Sequence, residues 1–398
     1  MLLELAHRVV RTTEPRLLWK FAWNFGFKGM LSVQRFKSRL RRGIYFPPFL
    51  YVSIINSCNL RCQGCWVDVA SPRQMISYEL MCRLIADSRK HGNSFFGILG
   101  GEPFMHPDLL RVLDAHRDCY FQVFTNGHFI TERVAAELRR IGNVTPLVSI
   151  EGTQFVSDQR RGRNHVFDHT LTGLRHCLKH KLITGVATSL CQTNLDELLS
   201  ENWIRQLIDL GVHYVWYYTY RPVGPKPTPE LALRPEQLVR VRQFLVQMRK
   251  KLPIGIIDAY WDDKGQALCP MSTGISHHIG PSGGVEPCPI IQFAAENINH
   301  DGQGLDQLLI NSRFLADFRR ASAAATRGCV VLERPDLVKQ LVLKHGAADT
   351  TARQTALAEL DAMVPRTSQH QPQRQIPEEH WAYRFAKKHW FFGFGAYG

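Results

Sequence analysis

The segment Phe49–Cys65 reads FLYVSIINSCNLRCQGC and decides how the chain is interpreted. Its first half, residues 49–56, is short, β-branched and aromatic, which predicts a buried strand. Its second half brings Cys58, Cys62 and Cys65 within eight residues. Thiolates are the usual ligands of iron–sulfur clusters, and three of them can hold three irons of a cubane. The alternative is a zinc site with four protein ligands, but no fourth Cys or His lies close by in sequence.

Outward from this segment, strands and helices alternate. Six strands that alternate with helices predict an α/β fold with a parallel sheet and right-handed crossovers. Periodicity alone leaves open whether the sheet closes partly into a barrel. The strands are predicted at 49–56, 95–99, 120–125, 145–150, 183–189 and 213–219, and the helices at 77–91, 107–118, 131–140, 167–180 and 195–210.

Polar or Gly-rich segments follow the first four predicted strands. After the cysteine loop come Gly100-Gly101-Glu102-Pro103, then Thr125-Asn126-Gly127, then Ser149-Ile150-Glu151-Gly152. Sites in parallel α/β folds form at the carboxyl ends of the strands, so these segments are expected to meet at one edge. Each segment alone is also typical of a turn or a strand end, but their order after a cysteine triplet indicates a site.

With these motifs the chain resembles the radical S-adenosylmethionine (SAM) superfamily over roughly residues 48–222. The resemblance implies a partial (β/α)6 barrel, a [4Fe–4S] cluster on Cys58, Cys62 and Cys65, and SAM at the open iron. One departure is Gly64, where many members carry an aromatic residue against the adenine; Trp66 either takes over that stacking or is packed core. The SAM-binding residues implied are Trp66, Gly100, Gly101, Glu102, Pro103, Asn126, Ser149, Glu151, Thr188 and Asn194.

The resemblance also implies a reaction. SAM is cleaved reductively to methionine and a 5′-deoxyadenosyl radical, which abstracts a hydrogen atom from a substrate, in an oxidoreductase or transferase type of enzyme. The expected partner is a low-potential electron donor such as flavodoxin or ferredoxin.

A second set of cysteines lies in the C-terminal half. Cys269, Cys288 within PSGGVEPC, and Cys329 resemble the SPASM or twitch extensions that hold auxiliary iron–sulfur clusters. A full SPASM domain has seven cysteines, so a single auxiliary cluster on these three is the preferred interpretation, and plain burial is the alternative. The loop histidines His277 and His278 are candidates to join a metal site or to be solvated. The remaining cysteines are interpreted as core: Cys82, Cys119, Cys177 and Cys191.

Composition and motifs divide the chain into four predicted units. The predicted units are a basic amphipathic helical segment (1–46), a radical SAM core (47–225), a small α+β SPASM/twitch-like auxiliary domain (226–364), and a polar linker with an aromatic and basic tail (365–398). Within the auxiliary domain, residues 253–300 are expected to be irregular and residues 365–379 to be a flexible linker.

Net charge is +14 with a pI near 9.5, and the excess is greatest in residues 1–46. Leu17, Phe21, Phe25 and Lys28 fall near one helical stripe, which is typical of an interfacial helix or of a helix packed on the barrel. The first interpretation favours a lipid or hydrophobic metabolite as substrate and a cytoplasmic location, peripheral at the inner face of the membrane.

Two other functions stay open. The SPASM-like sequence around Cys288 favours maturation of a ribosomally made peptide. If the SAM pocket is degenerate, the chain is instead a non-catalytic metal-binding protein. No named nucleic-acid motif occurs, so nucleic acid is not expected as a partner. The sequence shows neither a signal peptide nor an apolar run of membrane-spanning length.

Overall fold

A computed structural model describes residues 1–69, 72–258, 260–267, 269–299, 303–368, 370 and 373–390. Nine strands of this part of the chain form one sheet in the order β7-β6-β5-β4-β3-β2-β1-β8-β9, and every neighbouring pair is parallel except β8 and β9. A separate antiparallel pair, β10 and β11, lies in the C-terminal half. The strands are β1 (Phe49–Ser53), β2 (Phe95–Leu99), β3 (Tyr120–Thr125), β4 (Val144–Ser149), β5 (Gly185–Leu190), β6 (Tyr214–Thr219), β7 (Gly255–Asp258), β8 (Ser276–Ile279), β9 (Val285–Glu286), β10 (Phe293–Ala294) and β11 (Ala348–Asp349).

Several helices have capping residues at their ends. Ser77 and Thr131 accept hydrogen bonds from the backbone N–H groups of Leu80 and Val134, and Gly142 and Gly211 end their helices at positive φ. The helices are α1 (Leu2–Thr12), α2 (Pro15–Lys20), α3 (Lys28–Leu40), α4 (Tyr78–Lys90), α5 (Leu109–Ala115), α6 (Glu132–Ile141), α7 (Gln154–Arg161), α8 (Val166–Lys179), α9 (Leu195–Leu198), α10 (Glu201–Leu210), α11 (Pro235–Lys251), α12 (Pro270–Thr273), α13 (Leu305–Asn311), α14 (Arg313–Ala325), α15 (Val330–Glu333), α16 (Pro335–His345), α17 (Ala356–Asp361) and α18 (Trp381–His389).

The predicted α/β fold with a parallel sheet is confirmed, and the six predicted strands correspond to β1 to β6. The single helix expected over 195–210 is instead two, because Ser200 leaves the helix and its hydroxyl caps α10. The segment 253–300, expected to be irregular, contributes β7, β8 and β9 to the sheet. These strands have two to four residues, too few for periodicity to reveal.

The inner face of the sheet is aromatic and closed at one end by the N-terminal helices. Phe49, Tyr120 and Trp216 belong to one buried cluster with Phe25 and Phe36 from the segment before β1. A π-helical stretch, Phe21–Phe27, connects α2 to α3 within this plug. The plug therefore excludes water from that end of the barrel.

The stripe expected at an interface is thus largely internal. Leu17 and Phe25 are buried, whereas Trp19, Trp23 and Phe27 are exposed and stack on one another. Within the described residues no helix combines the length and apolar character needed to cross a membrane.

The C-terminal segment is anchored where a flexible linker was expected. Glu378 is buried and forms ion pairs with Arg242 and Arg249, and the Ile376 carbonyl lies against Gly265. The helix α18 follows, and Trp390 donates to the Phe25 carbonyl at 2.9 Å. Residues 391–398 of the predicted aromatic tail lie outside the described residues.

Candidate functional site

Cys58, Cys62 and Cys65 lie in the loop that follows β1, at the carboxyl edge of the sheet. All three are free thiols, and none is fully exposed. Burial, reinforced by the neighbouring thiols, raises the pKa of Cys58 to about 11 and that of Cys65 to about 12. Three free, partly exposed thiols in one loop fit the ligand set of a cluster with one open iron.

Zinc fits this donor set less well. The triplet supplies three thiols. A structural zinc site needs four ligands around a single ion, whereas a cluster takes each thiolate on a separate iron.

The two glycines after β2 lie directly on the backbone that leads into the cysteine loop. Gly101 donates to the Ile55 carbonyl at 2.7 Å, and Glu102 donates to the Ser57 carbonyl at 2.9 Å. A Cβ atom on Gly101 would lie 2.2 Å from the Ser57 oxygen. Gly100 has φ +151 and a Cβ there would lie 2.6 Å from the Ile55 oxygen. This close approach requires glycine at both positions.

The Glu102 carboxylate joins the loop after β2 to the end of β3. It accepts hydrogen bonds from the Thr125 hydroxyl at 2.7 Å and the Asn126 backbone N–H at 2.8 Å. Asn126 in turn donates to Asn59 in the cysteine loop at 2.8 Å. Burial raises the pKa of Glu102 to about 7, against the effect of these hydrogen bonds. Pro103 follows in a buried turn.

Glu151 orients an arginine that the sequence analysis did not identify. Arg161, at the end of α7, donates to the Glu151 carboxylate at 2.6 Å, and its second Nη lies 3.7 Å from the Cys62 sulfur. The other Glu151 oxygen accepts from the Ser189 N–H at 3.0 Å. Burial opposes the charge of Arg161, but Glu151 and the cysteine thiols raise its pKa above the ordinary value. Arg161 is therefore a cation held against the first thiol triplet.

Two predicted residues have structural partners of their own. Asn194 donates to the carbonyls of Glu151 and Ser189, each at 3.0 Å, and so ties the end of β4 to the end of β5. Thr188 lies on the same face of β5 as Val186 and Leu190, which belong to the outer core, and not on the inner face. Both stay predictions as SAM ligands.

Ser149, Gly64 and Trp66 border the same edge. Ser149 is half-buried at the end of β4. The Tyr220 ring covers Gly64, where a Cβ would lie 2.0 Å from the tyrosine oxygen. Trp66 packs against the main core and meets the His278 ring edge-on at 6.0 Å. These contacts favour the packed-core alternative for Trp66.

The second thiol triplet lies around a half-buried arginine, Arg221. Burial, followed by the other two thiols and against the opposing effect of Arg221, raises the pKa of Cys288 to about 12. The same three thiols, Cys269, Cys288 and Cys329, raise the pKa of Arg221 even though its burial opposes charge. The Arg221 guanidinium lies 4.9 Å from the Tyr260 ring centroid. No carboxylate of the described residues forms an ion pair with it.

His277 and His278 are not solvated loop residues, as they form part of β8 and are buried. His278 bonds the Ser53 hydroxyl at 2.7 Å and the Glu286 carboxylate at 2.6 Å. His277 contacts Arg319 at 3.2 Å. Neither is placed in the second triplet. Of the cysteines expected in the core, Cys119, Cys177 and Cys191 are buried and Cys82 is half-buried.

Three tyrosines lie together near the second triplet. Tyr51 from β1, Tyr218 from β6 and Tyr260 are neighbours there, and burial raises the pKa of Tyr51 well above its ordinary value. Cys288 adds to that shift. The second triplet therefore borders the inner surface of the barrel.

Comparison with known proteins finds one matching family and several similar proteins. Residues 52–200 match the Radical SAM superfamily. The sporulation killing factor maturation protein SkfB of Bacillus subtilis is 24% identical over 308 residues, 76% of this chain and 74% of SkfB. Fe-coproporphyrin III synthase of Methanosarcina barkeri is 26% identical over 156 residues, and there the chain spans only 39% of its relative.

The fold is similar to that of Streptococcus suis SuiB. SuiB bound to S-adenosylmethionine aligns with a TM-score of 0.60 and 14% identity over 71% of this chain and 70% of SuiB. SuiB bound to its precursor peptide SuiA gives a TM-score of 0.60 and 13% identity over 72% and 70% of the two chains. At this identity the likeness concerns the fold.

Proposed function

We propose that this chain is a radical SAM enzyme that carries a SAM-binding cluster on Cys58, Cys62 and Cys65 and an auxiliary cluster on Cys269, Cys288 and Cys329, and that it modifies a peptide; the match of residues 52–200 to the Radical SAM superfamily supports the first part. When bound, the first cluster and SAM supply a 5′-deoxyadenosyl radical for hydrogen abstraction. The protein's own residues position these groups and exclude water from them.

Arg221 carries the proposal of the auxiliary cluster. A half-buried guanidinium without a counter-ion is unfavourable, and Arg221 has no carboxylate partner within the described residues. Three thiols surround it, and as metal-bound thiolates they would supply the missing negative charge. Plain burial of neutral thiols, the alternative, leaves that cation uncompensated.

At the first triplet the residues form a supported frame. Glu151 holds Arg161 beside Cys62, and Glu102 and Asn126 hold Asn59 between Cys58 and Cys62. Gly100 and Gly101 fix the backbone before Cys58. Such fixed surroundings keep a cluster and its ligand in one orientation. The aromatic plug centred on Phe25 keeps solvent out of the barrel from the opposite end.

A peptide is favoured over a lipid as the substrate. The similarity to SkfB, a maturation protein, extends well beyond the radical SAM domain, and SuiB shares the fold and binds a precursor peptide. The argument for a lipid relied on the amphipathic N-terminal stripe, and Leu17 and Phe25 are buried in the protein. A low-potential donor such as flavodoxin or ferredoxin would deliver the electron.

The test is anaerobic reconstitution followed by iron and sulfide counts and incubation with SAM and dithionite. We expect about eight irons per chain, as two [4Fe–4S] clusters require, and 5′-deoxyadenosine formation that Cys58→Ala abolishes. The matched control is Cys119→Ala, a buried thiol outside both triplets. About four irons with full activity would overturn the auxiliary cluster, and bound zinc or iron without SAM cleavage would overturn the enzyme.

Substrate class is tested separately. The loaded enzyme is incubated with SAM, dithionite and short peptides encoded beside its gene, and the products are examined by mass spectrometry. A mass change that requires Cys58 supports the peptide proposal. Conversion of co-purified lipid with no change in any peptide would contradict it.

A further inference from the structure

A buried ionic network joins β7, α11 and the C-terminal segment. Asp258 and Glu378 are its carboxylates, and Arg242, Arg249 and Lys387 are its cations. Glu378 lies 2.5 Å from Arg249 and 3.4 Å from Arg242, and Lys387 lies 3.3 Å from Asp258. All five side chains are at most 4% exposed.

The charges of this network do not balance. Among the described residues three cations face two carboxylates, so the group carries one net positive charge on side chains that are almost wholly buried. The unbalanced positive charge is evident at Arg242. Its Nη2 is buried without a hydrogen-bond partner, and burial lowers its pKa. Asp262 also faces Arg242, but its carboxylate accepts the Gln266 N–H at 2.7 Å and remains half-buried. Buried charge of this kind is stable only with a compensating partner.

A cavity of about 310 Å³ lies next to Arg242. Its apolar wall includes Leu238 and Trp261. The described lining residues include neither Asp nor Glu. Its polar lining consists of Arg242, Gln266, Arg327, His370, Arg374 and Gln375.

Two residues that line the cavity are close in sequence to cysteines of the second triplet. Arg327 lies two residues before Cys329, and Gln266 is three residues before Cys269. The charge of Arg221 acts on His370, whose pKa burial lowers to about 4. His370 is therefore a neutral lining group near neutral pH, and it meets Trp261 edge-on at 5.8 Å.

From this juxtaposition we propose that the cavity binds an oxyanion, the carboxylate or phosphate of a small molecule or substrate. The anion completes the charge balance of the Arg242 network, and Arg327 and Arg374 contact it from the outer side. Guanidinium groups suit this role because they pair with carboxylate and phosphate through two parallel hydrogen bonds. The proposal is independent of SAM chemistry.

The test measures anion binding to the reconstituted full-length chain. Sodium phosphate and sodium succinate are titrated separately, with sodium chloride at matched ionic strength as reference, and Kd is measured by calorimetry and the thermal midpoint by scanning fluorimetry. We expect at least one oxyanion to raise Tm above the chloride reference. The Arg327→Gln/Arg374→Gln variant should weaken its Kd at least tenfold, as the loss of two charged contacts implies.

Two further variants make the result specific. Arg242→Met brings the network to neutrality, so it should remain folded and lose the oxyanion response. Arg133→Gln, an exposed arginine of α6 outside the cavity, should behave like the wild type. A response to phosphate alone identifies a phosphate-bearing ligand, and a response to succinate alone a carboxylate. Equal responses in wild type and in the Arg327→Gln/Arg374→Gln variant, or none beyond chloride, would overturn the site.

Discussion

The two thiol triplets differ in how their arginines are neutralised. At the first triplet, Arg161 is paired with Glu151 at 2.6 Å and touches Cys62. At the second, Arg221 is surrounded by three thiols and forms no ion pair with a carboxylate of the described residues. The first site therefore has its charges balanced by the protein alone. The second site reaches balance only when its thiols are ionised.

This difference suggests distinct dependence on metal. Burial outweighs the nearby Arg221 and raises the pKa of Cys288, so this thiol resists ionisation until metal binding removes its proton. We therefore expect the region around Arg221 to gain more stability from cluster assembly than the region around Arg161. Four experiments test the contrast, beginning with the largest expected effect.

Replacement of one cysteine in each triplet should abolish different steps of the reaction. Cys58→Ala is expected to reduce 5′-deoxyadenosine formation to the level of the iron-free protein, because SAM then lacks its cluster. Cys329→Ala should retain SAM cleavage and lose conversion of the substrate and about half of the bound iron, as one of two clusters is removed. Product analysis and iron counts on both variants provide the measurement. Equal loss of SAM cleavage in both would contradict two separate roles.

Removal of each arginine should change the stability of the metal-free chain in opposite directions. Arg161→Met leaves the Glu151 carboxylate buried without its partner, which should cost about 3–5 kcal/mol. Arg221→Met removes an uncompensated cation and should leave stability unchanged or raise it by up to about 3 kcal/mol. Thermal midpoints under reducing conditions give the comparison, with Arg205→Met on the exposed face of α10 as control. Two shifts of the same sign would remove the contrast.

The first site should also show a pH dependence from Glu102. Its pKa is raised by burial from 4.5 to about 7, so the folded chain binds this proton more tightly than the unfolded chain. The resulting stability is complete below pH 4.5 and is lost as the pH rises through 7. Between these values the wild type should lose on the order of 2–3 kcal/mol more than Glu102→Gln. Urea unfolding of the metal-free chain at several pH values measures this. Parallel profiles for the two proteins would show that Glu102 does not titrate there, and exposed Glu236→Gln is the matched control.

The smallest effect concerns Trp66, which directly follows the first triplet. Trp66→Leu should cost about 1–2 kcal/mol of packing, because the ring is half-buried against the core. The affinity for SAM should stay within about threefold, since a stacked adenine would lose more. Equilibrium binding of SAM to the loaded protein is the measurement. A tenfold weaker affinity would place Trp66 against the adenine after all.

The sequence predicted those parts of the fold that have local signals. Strands β2 and β3 agree with their predicted bounds, because each is a short run rich in aromatic and β-branched residues and such a run is a local signal. β8, with the sequence SHHI, has no such signal. Its polar side chains are buried only because Ser53, Glu286 and Arg319 satisfy them from distant parts of the chain.

The residues of the candidate site likewise fall into those that have a local sequence signal and those that have none. Three cysteines in eight residues identify the first triplet, whereas a single arginine has no spacing to reveal it. Arg221 lies two residues after the end of β6, so the rule that sites form at strand carboxyl ends could have identified it. Arg161 ends a helix that was not predicted, and its role depends on the Glu151 contact that only the folded chain shows.

The pairing of β8 with β1 has a consequence for synthesis of the chain. Phe49 lies opposite Ser276, so the strand that leads into the first triplet gains its second neighbour only after more than two hundred further residues have been made. Until then one edge of β1 offers unpaired backbone groups to other chains. Folding that depends on so distant a contact is slow and prone to aggregation at the ribosome. A truncated chain that ends after β6 would keep the first cysteine triplet and the rest of residues 52–200 and yet be expected to aggregate during expression.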